Sequence, residues 1–154
     1  FTVKVIDFDG NVYSDEGFSV EAPGNSSYVF YDTLATDLTG NLDPASLFIL
    51  VTYRGHMSGV EATNIFYLTA PKDLKLPVPK ITKTVEATAN GYRVTVFSEQ
   101  LVKNLYLSSS IPGDFSQNYF DLMPNETRVL EFITQKRDPK IVDKIQIKSL
   151  VDSY

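Results

Sequence analysis

The chain has 154 residues, 43% of them hydrophobic and 21% charged, with a formal net charge of −5. A chain of this length hides roughly 70% of its unfolded surface on folding and can build a full apolar core, while its acidic balance disfavours nucleic-acid backbones as partners. There is no Cys, which excludes a disulfide framework and thiolate metal sites, and no apolar run approaches the ~20 residues of a membrane helix.

The hydrophobic period along the chain is two rather than 3.6, which predicts strands. Candidates 2–8 and 12–21 flank Asp9-Gly10-Asn11, a tripeptide suited to a tight hairpin. Segments 28–31, 47–53 and 64–69 follow, rich in Val, Ile, Tyr, Phe and Thr, with a turn at Asp43-Pro44. Further on, 85–89 leads through Asn90-Gly91, a pair that accepts positive φ, into a run where Tyr92, Val94 and Val96 alternate with Arg93, Thr95 and Phe97. Segment 101–108 comes next, then a turn at Met123-Pro124-Asn125. Val129 and Ile133 then share one parity while Leu130 and Phe132 take the other, as where both faces are partly covered. Lys144-Ile145-Gln146-Ile147-Lys148 alternates again, placing both isoleucines on one face. No stretch has amphipathic helix spacing with caps at both ends. The expected class is all-β, with about five strands in the first half and six in the second.

The boundary falls in Pro71-Lys72-Asp73-Leu74-Lys75-Leu76-Pro77-Val78-Pro79, which holds three of the eight prolines. Proline lacks the donor that a strand ladder requires, so the segment is expected to be extended, stiff and outside any central strand. It divides the chain into modules 1–76 and 77–154. Phe1 stands where a Met would begin a reading frame and no signal-peptide pattern follows, so the chain reads as cut from something longer.

Candidate chemistry is sparse. Asp7-Phe8-Asp9-Gly10-Asn11 has the alternating oxygen ligands that open a calcium loop. Such a loop needs Gly at its sixth position and Glu at its twelfth, where this chain has Val12 and Phe18, so a plain hairpin turn is the better reading. His56 is the lone histidine, set among small residues without a nucleophile-elbow pattern, and reads as a loop tip rather than a catalytic or metal residue. Glycoside hydrolysis uses two carboxylates across the sugar bond. Glu61, Glu86, Glu99, Asp121, Glu126 and Glu131 mostly fall at strand-exterior or turn positions, where solvated acids are the default. Ten Phe, nine Tyr and no Trp are present. Tyr28, Tyr31, Tyr106 and Tyr119 are the candidates for a sugar-stacking face, with core packing the commoner role for aromatics on strands. Sequons occur at Asn25-Ser26-Ser27 and Asn125-Glu126-Thr127, both in turn regions, and bear on glycosylation only in a secretory pathway. No catalytic, cofactor or metal residue is assigned.

Two blocks carry a family likeness. The first is Asn64-Ile65-Phe66-Tyr67-Leu68-Thr69-Ala70-Pro71-Lys72-Asp73-Leu74, continuing through Leu76-Pro77 and Pro79-Lys80-Ile81. The second is Asn104-Leu105-Tyr106-Leu107-Ser108, Gly113, Phe115-Ser116 and Asn118-Tyr119-Phe120-Asp121-Leu122, with Pro124 and Glu126. Together they resemble the C-terminal region of β-mannosidases of glycoside hydrolase family 2. The resemblance implies two immunoglobulin-like antiparallel β-sandwich modules in tandem. At 76 and 78 residues both are short of the roughly 100 of such a module, and the first is expected to lack N-terminal strands and expose sheet edges open to self-association. The family often has Pro-Gly-Glu where this chain has Pro124-Asn125-Glu126. Asn is the best non-glycine residue for a left-handed turn. Within the second block, Tyr119 and Phe120 are expected to alternate across a strand, with Asp121 bonding turn amides ahead of Pro124.

The resemblance further implies a parent that removes terminal β-linked mannose with retention, using two glutamates in a (β/α)₈ barrel. A barrel takes ~250 residues of alternating strands and helices, and none of that pattern is here. This chain is therefore expected to be a non-catalytic accessory region without cofactor. Its partners would be the barrel and other sandwich domains of the parent, with no nucleic acid and no membrane span. A carbohydrate-binding or adhesive sandwich is the alternative. Compartment is left open, with an exported or lysosomal location favoured over the cytoplasm.

Overall fold

The computed structural model describes residues 1–21, 27–55 and 59–153. The chain folds as two units, Phe1–Lys75 and Leu76–Tyr154. Eleven antiparallel strands and two short helices are found among the described residues, so the class is all-β.

In the first unit, β1 (Thr2–Asp7), β2 (Val12–Gly17), β3 (Leu47–Arg54) and β4 (Glu61–Tyr67) form a four-stranded sheet in the order β2-β1-β3-β4. Pairing of β1 with β3 sets Val5 opposite Ile49 and Ile6 opposite Phe48. All four are buried, so both faces of the central pair are covered. Phe8 lies parallel to Phe48, with Tyr67 tilted against both. Elsewhere Phe18 stacks on Phe1 at 4.9 Å and meets Tyr31 at 5.0 Å.

Three expectations change here. Strand 12–21 stops at Gly17, because only residues 12–17 find partners on β1. Segment 28–31 is not a strand. Tyr28, Val29 and Phe30 are exposed and pair with no ladder, and β propensity acts only where a pleated surface is half-buried against neighbours. Four strands, not five, are therefore described in this half. A short helix α1 (Ala35–Thr39) follows instead, closed by Gly40 at φ 56°, whose amide reaches Thr36 O at 2.8 Å.

The proline-rich connector is also less uniform than expected. Pro71–Asp73 forms a 3₁₀ turn, Leu74 is buried, and the Lys75 amide donates to Ala45 O at 2.9 Å. The Lys75 ammonium meets Asp43 at 2.7 Å. These contacts tie the start of the segment to the first unit and leave residues 76–80 as the irregular stretch that leads into the next strand.

In the second unit, β5 (Ile81–Thr88), β6 (Gly91–Ser98), β10 (Glu126–Ile133) and β8 (Asp114–Phe115) make one sheet in the order β5-β6-β10-β8. Strands β7 (Val102–Ser109), β9 (Phe120–Leu122) and β11 (Ile145–Lys148) make a second sheet in the order β11-β7-β9. Between them lies one cluster: Tyr92, Val94 and Val96 from β6, Leu130 and Phe132 from β10, Val102, Leu105 and Leu107 from β7, Leu122 from β9, and Ile145. Burying each such side chain is worth about 1.5–3 kcal/mol, and this cluster supplies the main driving force of the unit. The alternations 92–97 and 145–147 are observed, with Arg93 exposed and Val94 fully buried. Lys144 is an exception to the last pattern, since it ends helix α2 (Ile141–Lys144). Seven strands form rather than six, because the two- and three-residue strands β8 and β9 are too short to show a period.

The β5–β6 hairpin turns at Ala89-Asn90, and neither residue has positive φ; Gly91 does, at 150°, as the first residue of β6. The need for glycine there is close approach. A Cβ on Gly91 would lie 2.0 Å from the carbonyl oxygen of Phe132.

Candidate functional site

The residues of the second family-like block converge on the seam between β7 and β9. The β7 ladder breaks between Val102 and Leu105, where Asn104 sits at φ 51°. Its amide, freed from the ladder, donates to Asp121 Oδ1 at 2.8 Å. Lys103 Nζ reaches Asp121 Oδ2 at 3.1 Å, and both side chains are largely sheltered. Three residues beyond Asn104 on β7, the Asn118 side chain replaces a strand: its Oδ1 accepts from Leu107 N at 2.7 Å and its Nδ2 donates to Leu107 O at 3.0 Å. Tyr119 then donates its amide to Leu105 O at 2.8 Å while held at φ 58°. Side chains thus complete a sheet edge whose backbone alone is out of register.

One sequence reading is corrected by this geometry and another is extended. Tyr119 does not alternate with Phe120 within a strand; it precedes β9 in a left-handed conformation that is costly for a bulky residue. Asp121 accepts from the bulge amide of Asn104, 17 residues away, a partner that the sequence reading did not foresee. The turn at Pro124 is served by Glu126, whose Oε2 accepts from Met123 N at 2.8 Å while its Oε1 holds Arg128 at 2.6 Å. Arg128 in turn lies 4.5 Å over the Phe120 ring. Asn125 occupies φ 60° and is exposed, so its side chain fits the left-handed turn.

Replacing Asn118 by alanine leaves two backbone groups of Leu107 without partners, and is expected to cost about 1–3 kcal/mol. Asn118→Asp is expected to cost at least as much, since an acceptor then faces the Leu107 carbonyl. Thermal melts of the two variants check the order.

Four of the six candidate acids are engaged in separate ion pairs. Glu61 pairs with Arg54 at 3.1 Å, Glu86 with Arg93 at 3.8 Å, Glu126 with Arg128 and Asp121 with Lys103. The backbone amide of Glu131 donates to the Ser116 hydroxyl, and Glu99 is exposed beside a turn. Among the described residues no group of three His, Asp or Glu converges as a metal set would. A general acid needs a raised carboxyl pKa. The Asp7 and Asp43 carboxyls are held below the ordinary range, Asp43 by the Lys75 ammonium and the Ala45 amide, opposite to that need.

Asp7 closes the first hairpin. Its Oδ1 accepts from Asp9 N at 3.0 Å and Asn11 N at 2.8 Å, and its Oδ2 accepts from Asn11 Nδ2 at 2.8 Å and the Tyr13 hydroxyl at 3.0 Å. These are the bonds of an Asx-type turn, and they occupy the oxygens that the calcium reading would use. Burial pushes the Asp7 carboxyl up, but the Asn11 side chain and amide, Tyr13 and Asp9 outweigh it and hold the group below the ordinary 3.8. A lowered folded-state pKa contributes stability that is fully present above the unfolded value and lost as pH falls through the folded one. The wild type is therefore expected to lose stability below about pH 4. Asp7→Asn, less stable at neutral pH, should lose a smaller increment over that window in melts followed against pH.

Of the four tyrosines, Tyr31 belongs to the Phe1–Phe18 cluster and points its hydroxyl at Glu16. Tyr28 is exposed and stacks on Phe30. Tyr106 and Tyr119 stack on each other at 4.9 Å. His56 and the Asn25-Ser26 portion of the first sequon lie outside the described residues.

The second unit, with facing antiparallel sheets of four and three strands around one core, is an immunoglobulin-like sandwich. Residues 76–153 match the mannosidase family model described as "Ig-fold domain", and residues 1–73 match the one described as "Mannosidase Ig/CBM-like domain". The chain belongs to the Ig-fold domain family of mannosidases and consists of two such modules in tandem. Sixteen solved chains also match. One is the β-D-mannosidase of Dictyoglomus thermophilum, with a TM-score of 0.70 and 16% identity over 97% of this chain, which shows the shared fold. The match spans only 18% of that mannosidase's length. No curated protein sequence matches.

Proposed function

We propose that this chain is a non-catalytic accessory region of a larger β-mannosidase-type exo-glycoside hydrolase that removes terminal β-linked mannose. In this reading the parent is a retaining enzyme of glycoside hydrolase family 2, and the modules pack against its catalytic barrel and neighbouring sandwich domains and steady them. The observation that carries the reading is the tandem order: two different mannosidase Ig-type modules follow each other along nearly the whole chain. The pairing of Glu61, Glu86, Asp121 and Glu126 with separate cations supports the non-catalytic part. Strands β2 and β4, at the two ends of the first sheet, offer edges for strand pairing with another domain or a second copy.

Assaying the purified chain on an aryl β-mannoside is expected to give no turnover above buffer. Robust turnover that co-purifies with the chain would overturn the non-catalytic assignment.

A further inference from the structure

We propose that the stacked pair Tyr106–Tyr119 on the second module is a binding platform for one pyranose ring of a neutral β-linked glycan. The rings lie 4.9 Å apart with 24° between their planes. One face of Tyr119 is backed by Tyr106, and the residue is 71% exposed, which presents its other face to solvent. Tyrosine combines a flat apolar face with a polar rim, which suits the C–H face and hydroxyl edge of a sugar.

The platform is fixed in place before any ligand arrives. Tyr119 is held at φ 58° by its amide bond to Leu105 O, between Asn118, locked onto Leu107, and Asp121, locked onto Asn104 and Lys103. A bulky residue kept in a left-handed conformation, with its ring largely in solvent and stacked on Tyr106, is a local cost of the kind that collects at functional sites. Such pre-organisation lowers the entropy lost on binding. Beside the pair, strand register sets Lys148 opposite Tyr106 and Gln146 opposite Ser108. Residues directly opposite share a face, so an ammonium, an amide and a hydroxyl border the rings as hydrogen-bonding groups.

The platform stands on this geometry alone; the choice of mannan as the first glycan rests on the mannosidase reading. NMR titration of the chain with mannotetraose and, separately, cellotetraose tests both. Saturable shifts at the Tyr106 and Tyr119 ring signals are expected with mannotetraose. Tyr119→Gly removes the ring and suits the backbone's positive φ, so it should fold as the wild type does in a thermal melt yet bind at least about tenfold more weakly. Tyr119→Phe, which keeps the face, should retain most of the binding. Saturation by cellotetraose alone at the same tyrosines would uphold the platform and count against the mannosidase link. No saturable shift with either glycan, or shifts that persist in folded Tyr119→Gly, would overturn the proposal.

Discussion

Replacing Phe132 by alanine is expected to destabilise the second module by about 3–5 kcal/mol, the range for a buried aromatic truncated in a packed core. Phe132 has no exposed surface, stacks on Phe115 at 4.6 Å and on Tyr92 at 6.4 Å, and belongs to the cluster joining the two sheets. The neighbouring rings are themselves anchored. The Tyr92 hydroxyl accepts from Asp138 N at 2.8 Å, and Arg137 lies over the Tyr92 ring while bonding the carbonyls of Gly91, Thr88 and Ala89. Those anchors limit how far the site can collapse around the cavity, which sets the cost toward the upper part of the range. For a domain of this size the midpoint should fall by more than about 12 °C. Ile133→Ala, one residue on and half exposed on the outer face, is the control and should stay within about 0.5 kcal/mol.

Gly91→Ala should be comparably damaging for a different reason. The added methyl would sit 2.0 Å from Phe132 O and 3.0 Å from Thr134 N, both backbone atoms at the end of the paired strand β10. No rotamer relieves a Cβ clash, so the β6–β10 ladder must part at its end, and the positive φ adds further strain. A loss of at least about 3 kcal/mol is expected from overpacking and conformational strain together. Urea unfolding of the variant measures it. A near-neutral result would mean that the hairpin end is looser than its close packing indicates.

Such dependence on backbone approach explains which parts of the fold could be read in advance. The alternation from Tyr92 to Phe97 was legible because β6 is central in its sheet and turns one parity to the core. The hairpin at Asp9-Gly10-Asn11 was legible because its determinants are local, with Gly10 at φ 89° and Asp7 bonding residues two and four positions on. Segment 28–31 has the composition of a strand but joins no ladder among the described residues, and pairing is a property of the tertiary fold. The seam at β7 was illegible for the same reason. Nothing in the local pattern around Asn104 announces a bulge, and nothing in Asp121 shows that its oxygen will fill the gap 17 residues back. Asn118 acting as a length of strand leaves no periodic trace.

The candidate site follows the same division. Residue types alone placed Tyr106 and Tyr119 among the aromatics worth inspecting, but their stacking requires Tyr119 to leave the strand conformation expected for it. The acids offered no pattern in sequence, and in the fold Glu61, Glu86, Asp121 and Glu126 answer to separate cations.

Whether these modules serve a larger mannosidase is decided by sequencing the gene that encodes the chain. The account predicts one continuous reading frame in which the codon for Phe1 is preceded by a region of alternating strands and helices, ~250 residues long, carrying two glutamates placed to meet across a sugar bond. A frame that encodes no such barrel would contradict it.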